Sequence, residues 1–277
     1  GGTPMTTTEE KRAVFRALHA QGCFILPNPW DAGSARMLQN LGFKALASTS
    51  SGFAWTAGRP DYGVNRAAAL AHLKVLCRAV DLPVNADFES GFAATPEGVA
   101  ESVRLAVETG VAGLSIEDRD LERGGRLYDT PAAIERLRAA RAAIEASGAD
   151  VLLVARTEAL LEEPDAITRA IDSLVAFAEA GADCLYAPGV RKRADIEAMA
   201  RAVGPKPLNV LAIDPTMTLA ELGDLGVRRI SVGGALARVG WAATVAAARK
   251  IAEGSFAPLA QGMPSKELNG LFAGFLE

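Results

Sequence analysis

The chain has 277 residues, 49% of them hydrophobic and 22% charged, a globular composition that excludes a disordered or collagen-like polymer. A formal net charge of -4 and a pI near 5.4 leave no basic footprint, so nucleic acid is not an expected partner. No apolar run reaches the roughly 18 residues of a membrane span, and Cys23, Cys77 and Cys184 are too scattered for a disulfide framework or a zinc site.

In chain order, residues 1–4 read as an expression scar, and no basic segment followed by an apolar one suggests secretion. A reducing, cytoplasmic setting is expected. Short apolar or β-branched runs recur at 23–26, 45–49, 83–87, 113–118, 151–157, 184–188, 207–211 and 228–233. Helix-period stretches fall at 32–42, 65–80, 96–109, 131–147, 165–180, 191–203, 218–225 and 235–253. Thr95 before Pro96 and Thr130 before Pro131 supply a capping hydroxyl and a first-turn proline. Gly110, Gly148, Gly181 and Gly226 suit the left-handed residue that ends a helix.

Strands alternating with helices imply right-handed crossovers and a parallel sheet. Eight such units fit an α/β fold of the (β/α)8 barrel type, spanning 5–277 as one domain. An open doubly wound sheet is the rival, but no GxGxxG follows the first strand. The tail 264–277 carries Leu268, Leu271, Phe272 and Phe275 on one helical face. With the outer ring expected to be filled by the barrel's own eight helices, this extra helix is expected to pack on a partner chain. A homodimer or homotetramer follows.

In such a barrel the reactive groups gather at the C-terminal strand ends. The polar residues there are Asn28 and Asp31, then Thr49, Ser50 and Ser51, then Asp87 and Glu89. Glu117 and Asp118, Arg156 and Glu158, and Asn209 complete the set, with Asp61 in the long loop after the second strand. Asp61, Asp87, Glu89 and Glu117 can converge on one mouth. Asp87 and Glu89, two apart after a strand, share a face. An oxygen-only shell suits Mg²⁺ or Mn²⁺ rather than zinc. His19 and His72 both lie in helical segments and are read as packing or surface residues, not bases.

The motifs "NPWDAGSARMLQNLGFKALASTSSGFAWTAGRPD", "NADFESGF", "GVAGLSIED", "VARTEA" and "PLNVL" occur in an order that resembles the isocitrate lyase/phosphoenolpyruvate mutase superfamily from about Gly22 to Gly240. The resemblance implies a (β/α)8 barrel that binds Mg²⁺, acts on a 2-oxo acid through an enolate and exchanges a C-terminal helix between subunits. By position, Asp87 is similar to the direct metal ligand. Asp61, Glu89 and Glu117 match acids that hold the ion, mostly through water. Thr49, Ser50 and Ser51 match the loop that binds the substrate carboxylate. Arg156 matches the arginine beside the reacting oxygens, so Arg156, Glu117 and Asp61 form the expected catalytic set. Asn209 and Trp30 are expected substrate contacts, with Phe53, Trp55, Arg126 and Tyr186 shaping specificity.

One departure matters. Lyases of this superfamily carry a K(K/R)CGH-type motif after the fourth strand, whereas residues 117–129 read "EDRDLERGGRLYD", without Cys or His. The Asn and Lys of the mutase loop are missing too. Its glycines suit a mobile gate. The expectation is a carbon–carbon lyase or decarboxylase of a small 2-oxo acid. A C–P bond enzyme and a non-catalytic 2-oxo acid binder are the alternatives.

Overall fold

The eight apolar runs offer no polar face to water, so each strand needs cover on both sides. The computed structural model, which describes residues 6–275, meets that need with an eight-stranded parallel sheet. The opening scar lies outside the described residues, as do Met5 and the last two residues of the tail.

After α1 (Thr8–Leu18) the chain runs β1 (Phe24–Ile25), α2 (Ala32–Asn40), β2 (Leu46–Ala47), α3 (Ser50–Thr56), α4 (Arg66–Ala79), β3 (Val84–Asp87), α5 (Pro96–Glu108) and β4 (Gly113–Glu117). A small hairpin, β5 (Arg119–Asp120) and β6 (Arg126–Leu127), precedes α6 (Thr130–Ser147), β7 (Leu152–Arg156), α7 (Ala159–Glu162) and α8 (Ile167–Glu179). Then come β8 (Cys184–Tyr186), α9 (Arg193–Val203), β9 (Leu208–Leu211), α10 (Leu219–Asp224), β10 (Arg229–Ser231), α11 (Ala235–Ala252) and α12 (Ser265–Phe272). All eight expected barrel strands are present.

The strand order is β1-β10-β9-β8-β7-β4-β3-β2. Its two ends meet: the Ala47 N–H donates to the Pro27 carbonyl at 3.1 Å, and Asn28 Nδ2 donates to the Ser48 carbonyl at 3.1 Å. The sheet therefore curls round into the expected barrel. Its register aligns Glu117 with Arg156, Arg156 with Tyr186, Tyr186 with Asn209, and Asn209 with Arg229. Residues in register on parallel strands share a face, so five adjacent strands carry one polar belt around the inside.

The floor comes from an element that periodicity alone did not mark. Thr7 and Glu10 form a capping box that starts α1, and Phe15 from this helix is fully buried with Leu26, Ala45, Ala47, Ala112 and Leu152. Lys11 fastens α1 by donating to the carbonyls of Cys77 and Val80 at 2.8 and 2.7 Å. The fit is close. A Cβ at Gly113 would stand 2.8 Å from the Phe15 ring and 2.6 Å from Asn85 Oδ1, so glycine is required there.

At the other end of the chain the expectation needs correction. The outer ring is not filled by eight of its own helices, because α11 buries only Ala237. Leu268, Leu271, Phe272 and Phe275 are the partly buried residues of 264–275, so the single stripe is real. In this chain it lies on α2 of its own barrel: Asn40 Nδ2 donates to the Leu271 carbonyl at 3.0 Å, and the Arg36 guanidinium lies 4.9 Å from the Phe275 ring centre. The apolar stripe fixed that the tail packs, not which barrel it packs on. Among the described residues, no helix is long and apolar enough to cross a membrane.

Candidate active site

Strand geometry delivers Asp87, Glu117 and Arg156 to the same end of neighbouring strands. Asp87 ends β3, and its Oδ2 accepts from the Ser50 N–H at 2.8 Å and the Ser50 hydroxyl at 2.7 Å. The Asp87 N–H donates to Ser48 Oγ at 2.8 Å. Oδ1 is buried and without a hydrogen-bond partner, its nearest cation being Arg156 Nη1 at 3.9 Å.

Arg156 is the hub. Its Nη2 donates to Glu158 Oε1 at 2.8 Å, its Nε lies 3.6 Å from Glu117 Oε2, and its guanidinium stacks 5.1 Å from the centre of the Tyr186 ring. Burial alone would make this cation easier to deprotonate, but Glu158 and Glu117 hold it well above the usual range. Glu158 is fully buried, with Oε2 unpartnered. Asp118 fixes that turn by accepting from Thr157 Oγ1 at 2.7 Å and the Glu158 N–H at 2.9 Å.

Two loops cover these groups. The Tyr62 hydroxyl donates to Glu117 Oε1 at 2.5 Å, and Arg119 from the β5–β6 hairpin lies 5.9 Å from the Tyr62 ring centre. Arg119 Nη1 also donates to the Gly125 carbonyl at 2.9 Å, closing its own hairpin. The expected gate is thus a folded hairpin that meets the second loop at Tyr62.

The acids outnumber their partners. Among the described residues, Asp61, Asp87, Glu89, Glu117 and Glu158 face two cations, Arg156 and Arg119, and the excess shows in the titration of Glu89, Glu117 and Asp61. Burial first, then Asp87 and Asp61, push Glu89 up to about 8. Burial lifts Glu117 well above the carboxylate range. Asp61 stands at the exposed rim, yet it too is raised, by surrounding apolar mass first and then by Asp87. An all-oxygen set with excess negative charge and an orphaned Asp87 oxygen fits a hard divalent cation.

The four acids expected to share that ion do not close into a direct cage. Among the described residues, no three His, Cys, Asp or Glu side chains group closely enough to hold a metal ion. The cause is competition: Glu117 is taken by Tyr62 and Arg156, and one Asp87 oxygen is taken by Ser50. One direct ligand with the remainder acting through water is the arrangement these groups allow.

The substrate loop is also more committed than its composition suggests. Thr49 Oγ1 caps α3 by accepting from the Gly52 N–H at 3.1 Å and lies 3.1 Å from Ser51 Oγ. Ser50 serves Asp87. Trp30 lines neither of the two clefts that meet here and packs instead against Gly52. Asn209 does line the axial cleft, donating to Ser231 Oγ at 3.1 Å and accepting from Arg229 Nε at 2.8 Å.

Several participants were not singled out from the sequence. Tyr62 sat in an ordinary-looking "RPDYG" turn, and Arg119 in a loop read as a gate. Arg229 is fully shielded, with Asn209, Asn85 and His19 as polar neighbours and no carboxylate paired to it among the described residues. A signal for it existed: Arg229 and Asn85 are polar residues at inward positions of otherwise apolar strands.

Residues 15–252 match the sequence pattern of a family described as phosphoenolpyruvate phosphomutase. An uncharacterised protein of Mycobacterium tuberculosis is 32% identical over 261 residues, 92% of this chain and 94% of its own length. Oxaloacetate decarboxylase of Pseudomonas aeruginosa is 32% identical over 231 residues, 81% of this chain and 79% of that enzyme. Among solved structures, a Burkholderia cenocepacia J2315 protein named only by reaction class, as a lyase/mutase, superposes with a TM-score of 0.92 at 43% identity. That match covers 96% of this chain and 97% of the other.

Proposed function

The chain belongs to the phosphoenolpyruvate phosphomutase family, within the PEP mutase/isocitrate lyase superfamily, and on that premise we propose that it is a Mg²⁺- or Mn²⁺-dependent carbon–carbon lyase or decarboxylase of a small 2-oxo acid. The observation that carries the reading is Arg156, a buried cation held between Glu117 and Glu158 beside the orphaned oxygen of Asp87.

Asp87 would hold the ion directly, with Asp61, Glu89 and Glu117 acting through its water. When bound, the ion supplies Lewis-acid stabilisation of oxygen charge that develops as a bond at the third carbon breaks. Ser50 orients Asp87 through two hydrogen bonds, so the free oxygen keeps a fixed direction. Arg156 places a permanent positive charge where an enolate oxygen grows, and its partners hold it there without reorganisation. Tyr62 and the β5–β6 hairpin exclude bulk water. The hydroxyls of Thr49 and Ser51 shape the loop, and with the Ser50 N–H given to Asp87 and the Gly52 N–H to Thr49, the Ser51 N–H at the start of α3 is left to receive a substrate carboxylate.

A panel of C4–C6 2-oxo dicarboxylates and 2-hydroxy tricarboxylates, followed by proton NMR with Mg²⁺ and with chelator, tests the reaction. Metal-dependent loss of at least one substrate is expected. No turnover, with calorimetric binding retained, would make the protein a non-catalytic binder. The family description gives the C–P alternative its standing, and phosphorus NMR of phosphonopyruvate decides it. The ion itself has a separate readout: Asp87→Ala should abolish Mg²⁺ binding in calorimetry while leaving the circular dichroism spectrum unchanged. Undiminished Mg²⁺ affinity in that variant removes Asp87 as the ligand.

A further inference from the structure

The catalytic reading gives no task to Arg229, which β10 carries inside the barrel on the floor side of the axial cleft. It is 3% exposed, and its guanidinium lies 5.8 Å from the ring centre of Phe15, the residue that seals the floor. Its partners are neutral. Nε donates to Asn209 Oδ1 at 2.8 Å, and Nη1 faces Asn85 Oδ1 at 3.4 Å. Nη1 also lies 3.1 Å from His19 Nε2. His19 Nδ1 lies 2.6 Å from the Phe15 carbonyl, which can only accept, so Nδ1 carries the proton and Nε2 accepts from Arg229.

Two observations mark this cation as one that a small anion joins. The first is charge. An arginine keeps its proton inside a protein, and a buried charge is costly unless it is paired. Among the described residues no carboxylate pairs with Arg229, and burial, the largest influence on it, is opposed by Cys184 and Tyr186 rather than by an acid. Arg156, by contrast, has Asp87, Glu117 and Glu158 around it. The second is direction. Nη2 has no acceptor among the described residues, and Arg229 lines the axial cleft. Asn85 and Ser115 line the same cleft, each with its donor on a long 3.3 Å bond to the Ala86 carbonyl. The free space beside these donors is that of a few water molecules, so their shared ligand is small.

We propose that Arg229, with Asn85 and Ser115, forms a binding site for one small monovalent anion at the floor of the axial cleft. The ligand chemistry is that of a halide-sized inorganic anion or a single carboxylate head. Such an anion neutralises a charge that the fold itself leaves unpaired. It also gives the cleft a second pole, opposite in sign to the acids around Asp87. The site uses none of the oxygens assigned to the metal, and its test needs no turnover. It therefore stands or falls independently of the reaction proposed above.

Bromide is the probe. Chelator-treated crystals soaked in sodium bromide should show anomalous density beside the Arg229 guanidinium. Bromide confined to the protein surface, an adventitious ion only, overturns the site. In solution, the wild-type melting temperature should rise by about 3–5 °C for each tenfold increase in bromide above its dissociation constant. Arg229→Met puts an apolar side chain in place of the cation, and it should lose that rise and keep only the general salt effect. A rise equal to that of the wild type overturns the proposal. Ser115→Ala keeps the cation and serves if the Met variant fails to fold. It should weaken bromide about tenfold by removing one donor, and undiminished affinity there also overturns the site. Succinate with Mg²⁺ then separates the two sources of the anion. Bromide displaced by bound succinate assigns the site to a carboxylate of the ligand, and bromide retained beside bound succinate assigns it to a resident inorganic anion.

Discussion

Arg156 touches three acids at once, and a lysine at this position would keep the charge but lose the planar fork and the stack on Tyr186. Arg156→Lys is expected to lower kcat/KM by roughly 10²- to 10³-fold, the size of losing one preorganised donor. The thermal midpoint should barely move, because an ammonium still faces Glu158. Unchanged kinetics would make Arg156 a structural partner only. The two histidines report burial rather than catalysis. Burial first, then Arg229, lowers His19 to about 3, and burial lowers His72 to about 4 against the pull of Asp31. A base depressed in the folded state contributes stability that is whole above its unfolded value, near 6.5, and is lost as pH falls toward the folded one. At pH 5 that loss is about 2 kcal/mol for each histidine. Buried Glu89, raised to about 8 by burial, binds its proton early when folded and so pushes the other way. His72→Phe separates the two: relative to wild type, its urea-unfolding stability should gain about 2 kcal/mol between pH 7.5 and 5. A pH-independent difference would show that His72 titrates normally. At this scale the acids were legible because charge after an apolar run stands out. Tyr62 was not, since its role depends on a loop returning over Glu117 from 55 positions away in sequence.

The eight barrel strands and their main helices were legible because each is a short run of fixed period bounded by Gly, Pro or a capping hydroxyl. The elements that escaped are those whose signal is tertiary. Short helix α3 begins at a serine-rich turn and exists because Thr49 caps it. The β5–β6 hairpin pairs only two residues per strand, held by Arg119 on Gly125 and by the Gly125 N–H on the Asp120 carbonyl at 2.8 Å. Helix α1 did carry a readable capping box, but its apolar face is spent on the barrel floor through Phe15. That gives α1 a testable weight. Phe15→Ala should destabilise the fold by about 3–5 kcal/mol in urea unfolding, because the void lies against Leu26, Leu152 and the backbone at Gly113 and cannot easily collapse. It should also loosen the chain of contacts from the His19 ring to Arg229 and Asn209, and raise KM for a ligand bound above them. A loss below about 1 kcal/mol, typical of a surface change, would mean that α1 lies on the barrel without sealing it.

At the scale of the whole molecule, the barrel is complete but its surface is not. Thirteen large apolar side chains are exposed among the described residues, and seven of them lie between Val239 and Met263. Trp241 is 49% exposed, Val239 66% and Phe256 67%, on a segment in which α11 buries only Ala237. Covering each such side chain is worth about 1.5–3 kcal/mol, and a patch of this kind marks a contact with another chain. We propose that two copies cover each other's α11 in a homodimer, or two such pairs in a homotetramer, a closed symmetric contact. The tail takes a lesser part than its apolar stripe suggested, because α12 already has α2 to rest on. The expected order of effects follows from that difference. Trp241→Glu with Val245→Glu should shift the mass in sedimentation to monomer without loss of secondary structure. Deleting residues 264–277 should expose α2 and lower the melting temperature more than it changes the assembly. Full-length protein sedimenting as a monomer at micromolar concentration would defeat the proposal. A double variant that stays oligomeric would move the interface off α11.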